Sequence, residues 1–250
     1  LVTGRAGGIC VDNQDHVFEI NRGDLQEKEK LVATPAAPFL EYDADGNMVN
    51  SFGDFKTAPS SPHGCIVDKD NNMYVAGNDD SIVQKYTHDG SKMLLQIGTK
   101  ALFDSSTGLI TGIAMNQSRT LLNKPADMAI DPGNGDIYIA DGYGDHRIAV
   151  FDKDGKFLRQ WGRQGTKAEA AAGEGGVFMG VVHCVVMDKN GLIYVCDRQG
   201  NRIQVFDKMG NFKKNIWIKS GHEETPDSWG TAWWLRFSRD PEQKYMFVAD

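Results

Sequence analysis

The chain has 250 residues, 40% of them hydrophobic and 24% charged, and a formal net charge of −7. This composition is that of an ordinary globular domain. The acidic excess argues against a nucleic-acid partner, because such proteins concentrate Lys and Arg. No apolar run reaches the roughly 18 residues that a membrane-spanning helix needs. We therefore expect a globular protein without a membrane span.

A short motif recurs along the chain: an apolar residue, then Asp, then a tight turn. It occurs at Asp12, Asp68, Asp131 and Asp188, and Ser238 takes the place of Asp in a fifth copy. A second apolar run follows each motif, such as HVFEIN in the first copy and DIYIAD in the third. Runs rich in β-branched and aromatic residues, closed by Gly, Asp or Asn, are typical of strands joined by turns.

The copies begin near residues 2, 62, 124, 181 and 231, and irregular segments separate some of them. Residues 22–38 are charged and Pro-rich, which predicts a rim loop. Residues 99–122 form a second insertion, which is predicted to hold a short helix or to cover the channel mouth. The alanine-rich stretch before the fourth copy predicts one helical turn. The fifth copy stops at Asp250 after its second strand.

The third copy, residues 123–162, is the clearest, and it divides into four strands with turns between them. A four-stranded sheet cannot bury both of its faces alone, so repeated sheets of this kind stack around an axis as blades. The sequence therefore predicts an all-β protein, a β-propeller with about four and a half blades in one domain. Closure of the ring would need roughly 60 to 80 further residues beyond Asp250, for a total of six blades.

The four cysteines lie in or beside inner strands: Cys10, Cys65, Cys184 and Cys196. Buried free thiols are the favoured interpretation, and disulfides are the alternative.

One position, five residues before each motif, is predicted to form a ring around the axis. It is occupied by Gly7, His63, Ala126, His183 and Trp233. In a six-bladed ring the two histidines would lie about 120° apart at one channel mouth. Three histidines in alternate blades, with one position open, would suit a catalytic zinc. A structural role for the two histidines is an equally good interpretation.

The turns after the second strands should face the same mouth, because strand two returns to the end at which strand one began. They carry Arg22, Tyr143 and Arg198. An Arg at this mouth can bind a carboxylate through two hydrogen bonds, and a Tyr beside a metal can act as a general base. The simpler interpretations are rim salt bridges for Arg22 and Arg198 and a packed turn aromatic for Tyr143.

Residues 123–162 and the stretch VVHCVVMDKNGLIYVCDRQGNRIQVF resemble NHL repeats, and more particularly the lyase domain of peptidylglycine α-amidating enzymes. The resemblance covers roughly residues 2–215. It implies a six-bladed propeller whose three histidines hold zinc, with an Arg and a Tyr at the site. It also implies cleavage of a peptidyl-α-hydroxyglycine into a peptide amide and glyoxylate. Matched by position, the site residues are Arg22, His63, Tyr143 and His183.

Further expectations come from the same resemblance. A structural calcium would lie in the channel, and the third histidine would lie in the sixth blade, beyond Asp250. The expected location is secreted or periplasmic, and the expected form is a monomer that binds a small molecule or a peptide with a C-terminal α-hydroxyglycine-like group. A bacterial relative with a related substrate would fit as well.

Two other functions are open. A non-enzymatic NHL scaffold that binds protein or glycan is the second hypothesis. A lactonase-type hydrolase is the third, and it would need carboxylates at the ring position, where this chain has none.

Overall fold

The computed structural model describes residues 2–104, 118–218 and 229–250. Most of the insertion predicted over residues 99–122 lies outside this described part. Four antiparallel sheets of four strands each follow one another along the chain, and a two-stranded sheet comes last. The strands are β1 (Ala6–Val11), β2 (Val17–Asn21), β3 (Phe39–Tyr42), β4 (Met48–Phe52), β5 (Pro62–Val67), β6 (Met73–Gly77), β7 (Ile82–Tyr86), β8 (Met93–Ile97), β9 (Asp127–Ile130), β10 (Ile137–Asp141), β11 (Arg147–Phe151), β12 (Phe157–Trp161), β13 (Arg163–Gln164), β14 (Val177–Phe178), β15 (Val182–Met187), β16 (Ile193–Asp197), β17 (Arg202–Phe206), β18 (Phe212–Trp217), β19 (Trp234–Phe237) and β20 (Met246–Ala249).

The predicted propeller is confirmed. Each four-stranded sheet keeps its strands in chain order, and the first strands β1, β5, β9, β15 and β19 contact one another in succession. These sheets are blades one to four, and β19 with β20 forms the inner half of blade five. The strands β13 and β14 make a small parallel pair between blades three and four. The total of six blades stays a prediction.

Burial follows from the stacking of the blades. The second and third strands of a blade have neighbours on both faces, so all residues of β10, β11, β16 and β17 are buried. The outermost strands carry exposed residues. The core is divided into four clusters of apolar side chains, one for each seam between successive blades. The seams therefore supply most of the hydrophobic stabilisation.

The recurring Asp residues close the turn between the first and second strands. Asp12 Oδ1 accepts hydrogen bonds from the backbone N–H groups of Gln14 and His16, at 2.7 and 2.8 Å. Asp188 Oδ1 does the same for Asn190 and Leu192. A carboxylate that satisfies two turn amides explains why the motif recurs in the blades.

The prediction of buried free thiols is wrong. Cys10 forms a disulfide with Cys65, and Cys184 forms one with Cys196. The first pair joins β1 to β5 and so links blades one and two. The second pair joins the neighbouring strands β15 and β16 within blade four.

The described residues contain two short helices. One is α1 (Glu27–Lys30), in the first rim loop. The other is α2 (Lys167–Ala171), which confirms the helical turn predicted from the alanine-rich stretch. Thr166 caps α2, because its Oγ1 accepts from the N–H of Glu169 while the Glu169 carboxylate accepts from the N–H of Thr166. Neither helix is long and apolar enough to cross a membrane.

Candidate active site

Both histidines of the predicted ring lie at irregularities in the first strand of their blade. Pro62 pairs with Gly77 and Cys65 with Val75, so β5 has one residue more than β6 over this span, next to His63. The same register shift occurs in β15 at His183. An extra residue in a strand re-aims the neighbouring side chain, and such irregularities are common beside active sites. Here they accompany the two imidazoles at the axis.

The backbone fixes which nitrogen of each imidazole carries the proton. His63 Nδ1 lies 3.0 Å from the carbonyl oxygen of Ala126, and His183 Nδ1 lies 2.5 Å from that of Trp233. A carbonyl can only accept, so each Nδ1 donates and each Nε2 keeps a lone pair. The ring centroids are 4.9 Å apart. The two lone pairs therefore face the same small space.

Both imidazoles are held in the neutral form. Burial, together with the positive charge of Arg22, lowers the pKa of His63 to about 4. Burial likewise lowers the pKa of His183 to about 3, with smaller contributions from His63 and Arg198. Neutral imidazole is the form that binds metals.

Tyr143 occupies the space between the two histidines. Its hydroxyl oxygen lies 3.2 Å from His63 Nε2 and 3.1 Å from His183 Nε2. Because a phenol carries one proton, it can donate to only one of the two lone pairs. The Nε2 lone pair of the other histidine has no donor from this hydroxyl, and a cation between the two imidazoles could bind it. The donor set thus fits a zinc ion at this position.

Arg198 completes the group around the hydroxyl. Its Nη1 lies 3.3 Å from Tyr143 Oη, and its guanidinium carbon lies 4.4 Å from the ring centre of Trp233. The side chain is only 2% exposed. Its stacking on Trp233 is a cation–π contact that holds the charged group in position. Among the described residues, no carboxylate forms an ion pair with Arg198.

Arg22 lies on the other side of His63. Its Nε donates to the carbonyl oxygen of Pro62 at 3.2 Å. A Cβ atom on Gly7 would lie 2.0 Å from that carbonyl oxygen and 3.3 Å from Arg22 Nε. Blade one therefore has no room for a side chain at the ring position, and Arg22 lies beside it. Within the described residues Arg22, like Arg198, forms no salt bridge with a carboxylate.

Buried ion pairs support the turns that carry these groups. Asp141, directly before the turn of Tyr143, accepts from Arg147 Nε at 3.0 Å and from the N–H of Asn123 at 2.7 Å. Asp197, directly before Arg198, accepts from Arg202 Nε at 2.9 Å. Both carboxylates are fully buried. Blades three and four thus each have a buried ion pair next to the turn that faces the axial site.

One further polar side chain, in the first strand of blade three, is fully buried. Asp127, at the start of β9, has no hydrogen-bond partner for its Oδ1 among the described residues, and its Oδ2 accepts from the N–H of Val185 at 3.2 Å. Burial raises the pKa of this carboxyl to about 6, and Arg236 opposes the shift. An oxygen without a donor fits a ligand of a hard cation such as calcium.

The sequence placed His63, His183 and Tyr143 at one mouth, and the structure brings the three together. Arg22 lies next to His63. The contact of Arg198 with Tyr143 was not predicted, although a signal existed. Arg198 follows the last residue of a second strand, as Arg22 does, so both arginines have the same register in their blades.

Within the described part of the chain, the axial site contains only two side chains of the kinds that commonly bind metals, His63 and His183. A group of three side chains that could hold a metal ion lies away from the axis, at Asp12, Glu41 and His88.

A sequence model of the NHL repeat matches residues 122–151 and 181–206. The chain contains NHL repeats. Peptidyl-glycine α-amidating monooxygenase B of Xenopus laevis is 30% identical to this chain in an alignment of 241 residues, which covers 86% of the chain. The aligned part is 24% of that protein, so the chain spans about a quarter of the relative's length.

Two further comparisons concern a related sequence and a solved structure with the same fold. Peptidyl-α-hydroxyglycine α-amidating lyase 1 of Drosophila melanogaster is 25% identical over 205 residues, which are 80% of this chain and 33% of that protein. The crystal structure of a gluconolactonase from Xanthomonas campestris superposes with a TM-score of 0.61 at 18% identity. It covers 98% of this chain and 68% of the gluconolactonase. At that identity the structural likeness shows the propeller fold alone.

Proposed function

We propose that this NHL propeller contributes the active site of a zinc-dependent lyase that cleaves the C–N bond of a peptidyl-α-hydroxyglycine or a related α-hydroxylated substrate. The products would be an amide and glyoxylate. The observation that carries the proposal is the convergence of His63 Nε2, His183 Nε2 and Arg198 Nη1 on the single hydroxyl of Tyr143. Sequence similarity to amidating lyases agrees with it.

The zinc ligands of this chain would be His63 and His183, each through Nε2. Their Nδ1–H donors to backbone carbonyls would fix the ring orientation, as partners of metal-bound histidines commonly do. The third histidine is expected beyond Asp250. When bound, zinc would supply positive charge that stabilises the oxyanion developing on the substrate hydroxyl.

Two guanidinium groups flank the site and would bind the substrate carboxylate. Arg22 lies beside His63, and Arg198 lies beside Tyr143. An Arg can bind a carboxylate through two parallel hydrogen bonds, which fixes its orientation as well as its position. Such a clamp would place the α-carbon of the substrate between the two sides of the mouth.

Tyr143 would act as the general base. As a phenolate its Oη would take the proton of the substrate hydroxyl, the C–O bond would become the carbonyl of glyoxylate, and the C–N electron pair would move to nitrogen. The proton taken by Tyr143 would then pass to that nitrogen, which completes the amide and returns Tyr143 to its starting state. The contact from Arg198 Nη1 would hold Oη in place.

The test is glyoxylate release from an α-hydroxyhippurate-type compound, together with elemental analysis of the protein. Tyr143→Phe should lower kcat by roughly 10²- to 10⁴-fold, the usual contribution of a general base, and should keep its zinc. Tyr138→Phe is the matched control, since Tyr138 lies in the same blade and donates to the Lys208 carbonyl away from the axis. It should keep full activity.

Zinc content tests the metal ligands. A variant with both His63→Ala and His183→Ala should lose the axial zinc. Equal zinc in this variant and the wild type would contradict the site. Full activity of Tyr143→Phe would remove Tyr143 as the base. A zinc-loaded protein that releases no glyoxylate would favour the scaffold hypothesis.

Two accompanying proposals concern the surroundings of the site. We propose Asp127 as a side-chain ligand of the channel calcium, with its Oδ1 as the donor atom. We also propose a secreted or periplasmic location, because paired cysteines persist in oxidising compartments.

A further inference from the structure

A second cluster of metal-binding side chains lies away from the axis, at the seam between blades one and two. His88 Nε2, in the turn after β7, lies 2.8 Å from Asp12 Oδ2 and 3.7 Å from Glu41 Oε1. His16 Nδ1 lies 2.7 Å from Glu41 Oε1 and 3.9 Å from Asp12 Oδ2. One ligand atom each of Asp12, Glu41 and His88 therefore lies within 4.8 Å of the other two, and His16 Nδ1 contacts the same two carboxylates from outside this group.

The two acids are buried, although acids of this kind are usually at the surface. Asp12 is 1% exposed and Glu41 is 4% exposed. Asp12 Oδ1 is used by the turn amides, which leaves Oδ2 for the cluster. The ring of Phe18 packs edge-on against His88, with centroids 5.5 Å apart, and so restricts its orientation. Buried carboxylates need a partner of positive charge.

The seam between blades three and four shows that a single ion pair is enough to bridge two blades. Asp131 of blade three, which corresponds to Asp12, pairs with Lys208 of blade four at 2.5 Å. Blade two instead has His88 at the position of Lys208. The remaining positions of the cluster also differ from their counterparts: Glu41 corresponds to Lys85, Val150 and Val205, and His16 to Asn72, Asp136 and Leu192.

His16, Glu41 and His88 thus differ from the residues at the same positions in the other blades, and all three lie around Asp12. A salt bridge alone would require only one of them, and a Lys would serve it better because it is always charged at neutral pH. The changes replace cationic, amide or apolar side chains by imidazole and carboxylate. These are the ligand types of a borderline divalent metal.

We propose that Asp12, His16, Glu41 and His88 bind one divalent transition metal ion, of which zinc is the prototype. Mixed nitrogen and oxygen donors select such metals over calcium and magnesium, which prefer oxygen donors alone. Four protein ligands make a closed site without an open position, which is typical of a structural metal.

The role of this metal is to hold blades one and two together at the outer part of their seam. The ligands come from the turn between β1 and β2 and from β3 on one side, and from the turn after β7 on the other. Cys10 and Cys65 link the same two blades at the first strands. Arg239 contacts the carbonyl oxygen of Asp12 at 3.2 Å, so it touches the turn and leaves the carboxylate to the cluster.

The experiment measures zinc per chain and the melting temperature of the whole protein, after chelator treatment and again after addition of zinc. It is done in the background of His63→Ala with His183→Ala, which removes the axial ligands and makes the result independent of the proposed lyase activity. In this background one zinc per chain should bind and should raise the melting temperature.

His88→Lys is the decisive variant, because it introduces the residue that forms the ion pair at the seam between blades three and four and removes one ligand. It should bind at least tenfold more weakly and lose the rise in melting temperature. His16→Asn, which introduces the residue found at that position in blade two, should also weaken binding. Lys208→Ala is the control, since it breaks a seam ion pair without touching the cluster, and it should keep the zinc.

Equal zinc binding and an equal melting rise in His88→Lys, His16→Asn and their parent would overturn the proposal. So would a parent that binds no zinc at all. If His88→Lys fails to fold, His16→Asn alone decides the question by the same two measurements.

Discussion

The two disulfides should differ in how much they stabilise the fold, and the difference can be worked out from their positions. Cys10 and Cys65 are 55 residues apart in sequence, whereas Cys184 and Cys196 are 12 apart. In the chain-entropy model a cross-link restricts the unfolded chain more when it closes a longer loop. The stabilisation is then about 4.2 kcal/mol for the first pair and about 2.8 kcal/mol for the second, a difference of about 1.4 kcal/mol.

The assay is urea unfolding of two variants, one with both cysteines of the first pair replaced by Ala and one with both of the second pair replaced. All four cysteines are buried, so the small cavities left by Ala are comparable and largely cancel in the comparison. The free energy of unfolding should fall further when the pair that joins blades one and two is removed.

An equal loss in both variants, or a larger loss for Cys184 with Cys196, would refute the reasoning. It would mean that local strain or residual structure in the unfolded chain outweighs loop entropy. Each free energy must be extrapolated to water with the slope of its own unfolding curve, because removal of a cross-link also changes the compactness of the unfolded chain.

Two further predictions concern charge. Arg22→Ala should raise KM and lower kcat together, because a carboxylate clamp acts in the ground state as well as the transition state, and a change in kcat alone in glyoxylate kinetics would contradict the clamp. Burial lowers the pKa of His146 from 6.5 to about 4. Protonation of His146 therefore does not affect stability above pH 6.5, and it destabilises the fold by up to about 3 kcal/mol as pH falls to 4. In His146→Phe the free energy of unfolding measured in urea should fall less over this pH range, and an unchanged pH dependence would contradict the burial of the ring.

The sequence predicted the fold and much of the axial site because both depend on repeat register. Once the recurring Asp defines the register, His63 and His183 must occupy equivalent ring positions, and Tyr143 must follow the second strand of its blade. These statements need only the order of strands within one blade.

Features that depend on the offset between blades were not predictable in the same way. Cys10 and Cys65 are paired because β1 and β5, the first strands of successive blades, lie side by side with these two residues opposite each other. Periodicity within a blade does not fix how far one strand is shifted along the strand of the next blade. The approach of His88 to Asp12 also crosses a seam. The direction in which the long side chain of Arg198 extends depends on Trp233 below it, a residue of the next blade.

The axial groups come from four different blades, so the distances between them depend on how the blades pack against one another. Arg22 comes from blade one, His63 from blade two, Tyr143 from blade three, and His183 with Arg198 from blade four. No two adjacent blades hold the whole set. A slight splaying of the ring at its centre would separate the hydroxyl of Tyr143 from its nitrogen partners while every sheet stays intact. If the proposed lyase activity holds, its rate will report how tightly the blades pack around the axis.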